Sequence, residues 1–97
     1  PQIAWSNAPD GTPRFFNPRW AEYTGVDPLA DGATRWLDAV HPDDVARVHA
    51  ARTGAVARGE PYALEMRLRR RDGVYRWFSA RVAPLRDDGG TVLGWYG

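Results

Sequence analysis

The spacing of apolar and polar positions divides the chain into strand-like and helix-like pieces. Ile3-Ala4-Trp5 is a short apolar run, closed by the turn-rich stretch Asn7-Ala8-Pro9-Asp10-Gly11. Arg14-Phe15-Phe16 follows, and the two runs predict a hairpin. Asn17-Pro18 predicts a helix start, with Asn17 as N-cap and Pro18 at the first helical position. Trp20 and Tyr23 share one face of that short helix, and Gly25 stands where it should end. From Asp27 to Val40 the chain reads as irregular or briefly helical, anchored by Trp36, Leu37 and Val40.

His41-Pro42-Asp43-Asp44 predicts the start of the one long helix. Pro42 suits the first turn, and the two acids complement the positive end of the helix dipole. The helix is expected to run to about Arg58, with Gly59 ending it. Val45, Val48, Ala51, Arg52, Ala55 and Val56 form its inner face. Beyond it the period changes to two. Tyr62, Leu64, Met66 and Leu68 alternate with Glu65, Arg67 and Arg69, a half-buried strand. Asp72-Gly73 predicts a two-residue hairpin turn. Val74 to Leu85 reads as the next strand, with Phe78, Ala80 and Val82 on one face and Tyr75, Trp77 and Ala83 on the other. Asp87-Asp88-Gly89-Gly90 is a turn, and Thr91 to Tyr96 a final strand. Two strands, short helices, a long helix and three strands predict an α+β domain, an antiparallel sheet with helices on one face.

Composition narrows the chemistry. The 97 residues suit a single domain, 1–97, and five Trp, four Tyr and three Phe supply the large side chains that a thin core needs. Pro1 in place of an initiator Met reads as the mark of a fragment of a larger protein. No apolar run approaches the roughly 18 residues of a membrane span, so membrane insertion is not expected. Cysteine is absent, which excludes disulfides, thiolate metal sites and cysteine nucleophiles. Every basic residue is Arg, so no P-loop or Schiff-base Lys exists. That usage reads as codon bias in a GC-rich genome. The net charge of +1 is too small for a nucleic-acid reader, and the Arg67, Arg69, Arg70, Arg71 cluster reads as a solvated strand end. With only His41 and His49, no His-rich metal site is expected. Asp43 and Asp44 are explained by the helix dipole, and Glu65 by a surface or cross-strand ion pair with Arg67 nearby. No catalytic constellation is present, so this segment is not expected to be an enzyme.

Several motifs in register resemble a known family. They are Asn17-x-x-Trp20-x-Glu22-Tyr23-Thr24-Gly25, Trp36-x-x-x-Val40-His41-Pro42-Asp43-Asp44, Gly59-x-Pro61-Tyr62-x-x-Glu65-x-Arg67-Leu68-Arg69-Arg70-x-Asp72-Gly73-x-Tyr75-Arg76-Trp77 and Gly94-Trp95-x-Gly97. Over essentially the whole chain they are similar to the PAS sensory domain, in the subfamily common in bacterial sensor histidine kinases. The resemblance implies a five-stranded antiparallel sheet with helices packed over one face. It implies a cytoplasmic signal-input or dimerisation module that modulates an effector domain of the same chain, in a parent that is a histidine kinase. A structural relay without ligand, or an input domain of a diguanylate cyclase or phosphodiesterase, is the alternative. The family's N-terminal cap helix and the coiled-coil linker after its last strand have no counterpart in this sequence.

Within that reading the pocket candidates are Trp20, Tyr23, Trp36, His49, Arg52, Met66 and Phe78. The five aromatic and Met side chains are equally readable as plain core. Arg52 is either a snorkelling residue or the anchor of an anionic ligand such as a carboxylate. Haem-binding members ligate iron through a His on the long helix, and His49 is the one candidate here, without a matching motif around it. No cofactor is predicted, and the missing Cys excludes a covalent flavin adduct. His41, followed by Pro42, does not suit a phosphoacceptor. Tyr75 and Trp77, opposite Phe78, are the interface candidates, for a flanking helix or a homodimer formed through the sheet face.

Overall fold

The computed structural model describes residues 2–97. Strands β1 (Trp5–Asn7) and β2 (Pro13–Phe16) lead into helix α1 (Arg19–Thr24). A short segment α2 (Ala30–Ala33), left-handed at Asp31, Gly32 and Ala33, and a 3-10 helix (Arg35–Ala39) precede the long helix α3 (Pro42–Arg58). Strands β3 (Tyr62–Arg69), β4 (Tyr75–Arg86) and β5 (Val92–Tyr96) complete an antiparallel sheet in the order β2-β1-β5-β4-β3. The five-stranded α+β architecture is the one the patterning implies.

Register fixes which side chains face the helices. Trp5 opposes Phe16, Met66 opposes Phe78, and Leu64 opposes Ala80 on the inner face. These pack with Trp20, Trp36, Ala39, Val40, Val48 and Leu68 in one core. Gly94 lets β5 lie tight against β1, because a Cβ there would fall 2.8 Å from the Asn7 carbonyl oxygen.

Local chemistry departs from the sequence expectations at several points. β1 begins at Trp5 rather than Ile3, which places Asn7 in the strand instead of the turn. Asn17 does not cap α1. Its Oδ1 accepts from the Ala4 amide at 3.1 Å and its Nδ2 donates to the Gln2 carbonyl at 2.9 Å, tying down the segment before β1. Pro18 is left as the flanking residue, without a side-chain cap. The Asp72-Gly73 hairpin loop holds three residues rather than two. Arg70 N–H bonds to the Val74 carbonyl, and Gly73 N–H, at φ +92°, returns to the Arg70 carbonyl. The same pair of bonds closes the loops at Ala8–Thr12 and Asp87–Thr91, with Gly11 and Gly90 in the matching position.

β3 is an edge strand, and an uncovered edge exposes unpaired backbone groups. Here the start of α3 covers it. Val40 bridges Leu68, and the His41 amide donates to the Arg67 carbonyl at 2.9 Å. Asp44 Oδ2 accepts from the Arg67 amide at 2.8 Å, and Arg47 donates to the Glu65 carbonyl. Asp44 is only 2% exposed and also takes the Arg67 guanidinium in a two-pronged bond, Nε to Oδ2 at 3.0 Å and Nη2 to Oδ1 at 2.7 Å. Two expectations are thereby corrected. Asp44 is a buried partner rather than a dipole ornament, and Arg67 pairs with it rather than with Glu65. The capping role of this helix start falls instead to His41, whose Nδ1 accepts from the Asp43 amide at 3.0 Å.

The Arg67 guanidinium holds the Asp44 carboxyl well below the usual carboxylate range, against the opposing effect of burial, and Arg47 adds to it. The folded chain therefore binds this proton less readily than the unfolded chain. Its contribution is complete above the ordinary carboxylate pKa and drains as acid titrates the folded form. The expected urea midpoint is flat from about pH 5 to 8 and falls below about pH 4. Asp44→Asn should flatten part of that acid limb. Asp44→Ala should lower the melting temperature by on the order of 10 °C, because it strands the Arg67 guanidinium and its amide. Thermal and urea melts followed by circular dichroism across pH check both outcomes.

Candidate functional site: a polar-trimmed cavity in the core

Between the inner sheet face and the helices lies a cavity of about 40 Å³. Its walls include Trp5 and Phe16 from the first hairpin, Trp20 from α1, Trp36 from the 3-10 helix, and Val48 and Arg52 from α3. Leu64, Met66, Ala80 and Val82 form the floor. The α-helical period places Val48 and Arg52 one and two turns beyond Asp44, on the same side of α3. The clamp on the β3 edge thus sets how the roof residues hang over the sheet.

The cavity is apolar with a few polar groups. Arg52 is half-buried, and its guanidinium donates to the Gly11 carbonyl and lies 5.4 Å from the centre of the Trp36 ring. Tyr62 lines the same space, and burial pushes its hydroxyl pKa up, so it stands as a neutral O–H. Besides the Tyr23 hydroxyl, whose residue lies outside this lining, two buried atoms of lining residues have no hydrogen-bond partner among the described residues: Oδ1 of Asn7 and Nε1 of Trp20. Their residues are 6% and 1% exposed. Buried polar atoms are nearly always paired, so two orphans in the lining of one cavity need an explanation.

A wider open cleft of about 500 Å³ lies on the other side of Trp20 and Met66, and Ile3, Tyr23, Leu68 and Phe78 line it as well. Trp20, Trp36, Arg52 and Met66 therefore meet at the inner cavity, whereas Tyr23 and Phe78 border the outer cleft, stacked edge to face at 5.1 Å. His49 joins neither. It is exposed, one position past Val48 on the solvent side of α3, and so is not placed to ligate a haem iron in the core. Sequence reasoning missed Asn7, because it reads as a turn former, and Tyr62, which reads as one more apolar strand residue.

The interface candidates separate too. Trp77 is 60% exposed on the outer sheet face, with the Arg67 guanidinium 4.8 Å from its ring centre. Tyr75 is half-buried against the His41 ring, 4.6 Å between centres. Ladder register puts Phe15, Ala83 and Tyr96 on the same outer face as Trp77, and Phe15 and Tyr96 are both exposed. Among the described residues no cluster of acidic and His side chains suits a metal, and no helix is long and apolar enough to cross a membrane.

The sequence profile of the PAS fold matches residues 13–97, and the chain belongs to that family. It is 38% identical over its whole length to the uncharacterised protein y4lL of Sinorhizobium fredii, of which it spans 12%. It is 34% identical over 74 residues, 76% of the chain, to the peroxide stress-activated histidine kinase mak3 of Schizosaccharomyces pombe, of which that match spans 3%. In structure it is similar to the N-terminal domain of a diguanylate cyclase with PAS/PAC sensor from Marinobacter aquaeolei. The TM-score is 0.77 at 24% identity, over 98% of this chain and 89% of that one. The chain is thus a PAS domain that covers a small part of the curated relatives it matches, and those relatives include histidine kinases.

The two classes of position predict different responses to truncation. His49→Ala should leave stability within about 0.5 kcal/mol of the parent. Met66→Ala, on the shared wall of both spaces, should cost about 2–4 kcal/mol. Urea unfolding of the two variants checks the contrast.

Proposed function

We propose that this chain is the signal-input module of a larger bacterial sensor histidine kinase, and that it binds a small molecule in the inner cavity. The observation that carries this reading is a mostly apolar space whose lining residues include Arg52 and Tyr62, and also Asn7 and Trp20, each of which holds an unpartnered buried polar atom, Oδ1 and Nε1. Ligand sites are built this way, mostly apolar with a few placed polar groups. The relatives that are histidine kinases support the choice of effector, and the diguanylate cyclase neighbour supports a nucleotide-cyclising effector as the other candidate. Occupancy of the cavity would favour one arrangement of helices over sheet, and the effector in the same cytoplasmic chain would read the shift.

A second reading rests on the outer sheet face. Trp77, Phe15 and Tyr96 are exposed aromatic side chains on this face, which suits a second copy of the domain or a flanking helix. On that reading the domain is a dimerising relay and its cavity holds nothing but water.

Two measurements separate the readings. Indole N–H signals of the nitrogen-labelled chain are followed while glycerol, acetamide or acetate is added. The sensor reading expects saturable movement of the Trp20 and Trp36 signals with at least one probe, lost in Ala80→Leu, which fills the cavity. No movement with any probe overturns it. Sedimentation equilibrium of Trp77→Glu tests the relay. Self-association at least about tenfold weaker than that of the parent supports it, and unchanged association removes it.

A further inference from the structure

The polar groups around the cavity are unbalanced in sign. Arg52 brings a positive charge, and Trp20 Nε1–H and the Tyr62 hydroxyl bring donors. Asn7 offers an amide, which presents either an acceptor or a donor depending on its rotation. No Asp or Glu lines the space, and Arg52 has no carboxylate partner among the described residues. Five of the thirteen arginines, at 35, 47, 58, 67 and 70, pair with carboxylates; Arg52 is among the others, and is the arginine that lines this space. Arg52 is bonded only to neutral groups, the Gly11 carbonyl and the Trp36 ring face. A half-buried cation is stabilised most by an anion that also fills its remaining N–H groups, and planar carboxylates match a guanidinium in two-pronged geometry.

Size sets the second limit. A space of about 40 Å³ accommodates about three water molecules, which corresponds to a ligand of two or three carbons. The wall beside the polar groups is indole, Leu, Met and Val, so a short alkyl end is welcome and a second charge is not.

We propose that the inner cavity binds a short monocarboxylate, the acid of a two- or three-carbon chain, with Arg52 and the Trp20 indole N–H on the carboxylate oxygens and Asn7 beside them. This rests on the sensor reading above and assigns its ligand class. Binding is carried by charge-assisted hydrogen bonds inside an indole box. It should therefore reject the neutral alcohol or amide of the same shape, because exchanging a carboxylate for a neutral group leaves the guanidinium without its counter-charge.

The test is a titration of the labelled 97-residue chain with acetate and propionate, and in parallel with acetamide and propanol, at constant ionic strength. The Trp20 indole signal is identified by its loss in Trp20→Phe. The expected result is saturable movement of that signal with the acids, at affinity at least about tenfold above that for the neutral compounds. Arg52→Met should abolish this preference, and Arg52→Lys should retain part of it. Circular dichroism confirms that each variant is folded. If Arg52→Met does not fold, Asn7→Asp tests the same point, since a second carboxylate beside the site should repel the acids selectively. Equal affinity for acids and neutral compounds overturns the carboxylate assignment and leaves a ligand-binding cavity in place. Absence of binding by all four overturns both the assignment and the sensor reading.

Discussion

A carboxylate closing a sheet edge is the constraint on which the rest of this domain hangs. β3 has only β4 on one side, and on the other the structure must supply partners for its backbone. A further strand would do this, but at the price of a further edge. Here a helix start does it instead, through the Val40 bridge, the His41 amide, the Asp44 carboxylate and the Arg47 guanidinium. Asp44 can be buried only because Arg67 neutralises it and fills both oxygens. The pair therefore tolerates little displacement, and α3 is pinned at its first turn in addition to the apolar contact made further along by the buried Val48 and Ala55. Apolar contact alone is non-directional and would allow the helix to slide.

Pinning the helix start has a consequence in the core. Val48 and Arg52 follow Asp44 at helical spacing and become the roof over Met66, Ala80 and Val82. Facing these are rigid indoles, Trp5, Trp20 and Trp36. Large planar side chains opposite small ones cannot interdigitate fully, and a helix that is fixed at its end cannot settle to take up the gap. The cavity is thus a product of the clamp and of the aromatic composition together. The same aromatics that let a short chain build a core also leave it with a space.

Periodicity made most of the fold legible. The two-residue alternation from Tyr62 to Leu68 set the inner face of β3, and His41-Pro42 with Gly59 bounded α3 at its observed ends. What stayed hidden depends on partners distant in sequence. Nothing beside Asp44 shows that its guanidinium lies on another element, and the dipole accounts for it well enough locally. Asn7 and Asn17 both carry strong local preferences, for turns and caps, and in both the tertiary structure overrides them. Asn17 becomes a staple for the N-terminal segment, and Asn7 enters a strand with its amide in the core. Asp72-Gly73 misled in count only, since Asp-Gly also suits a three-residue loop when Asp72 accepts from the Val74 amide. For the site, Arg52 was visible as a charge on an apolar helix face, whereas the donors that complete it come from three separate elements.

The inner site is also wired to the first hairpin. Gly11, whose carbonyl Arg52 holds, sits in the loop between β1 and β2, and the neighbouring Pro9 carbonyl accepts from Trp95 Nε1 on β5 at 3.1 Å. Asn7, one of the unpartnered residues, is the last residue of β1 and pairs with that same Trp95. Any group that draws Arg52 or Asn7 toward the cavity therefore pulls on a loop and a strand that flank β5, the central strand of the sheet. The fold by itself does not determine what is sensed. On the proposed reading, a cation without a carboxylate partner among the described residues, an indole donor and an amide, each on a different element, would supply a recognition chemistry and a physical route by which occupancy of the cavity reaches the sheet.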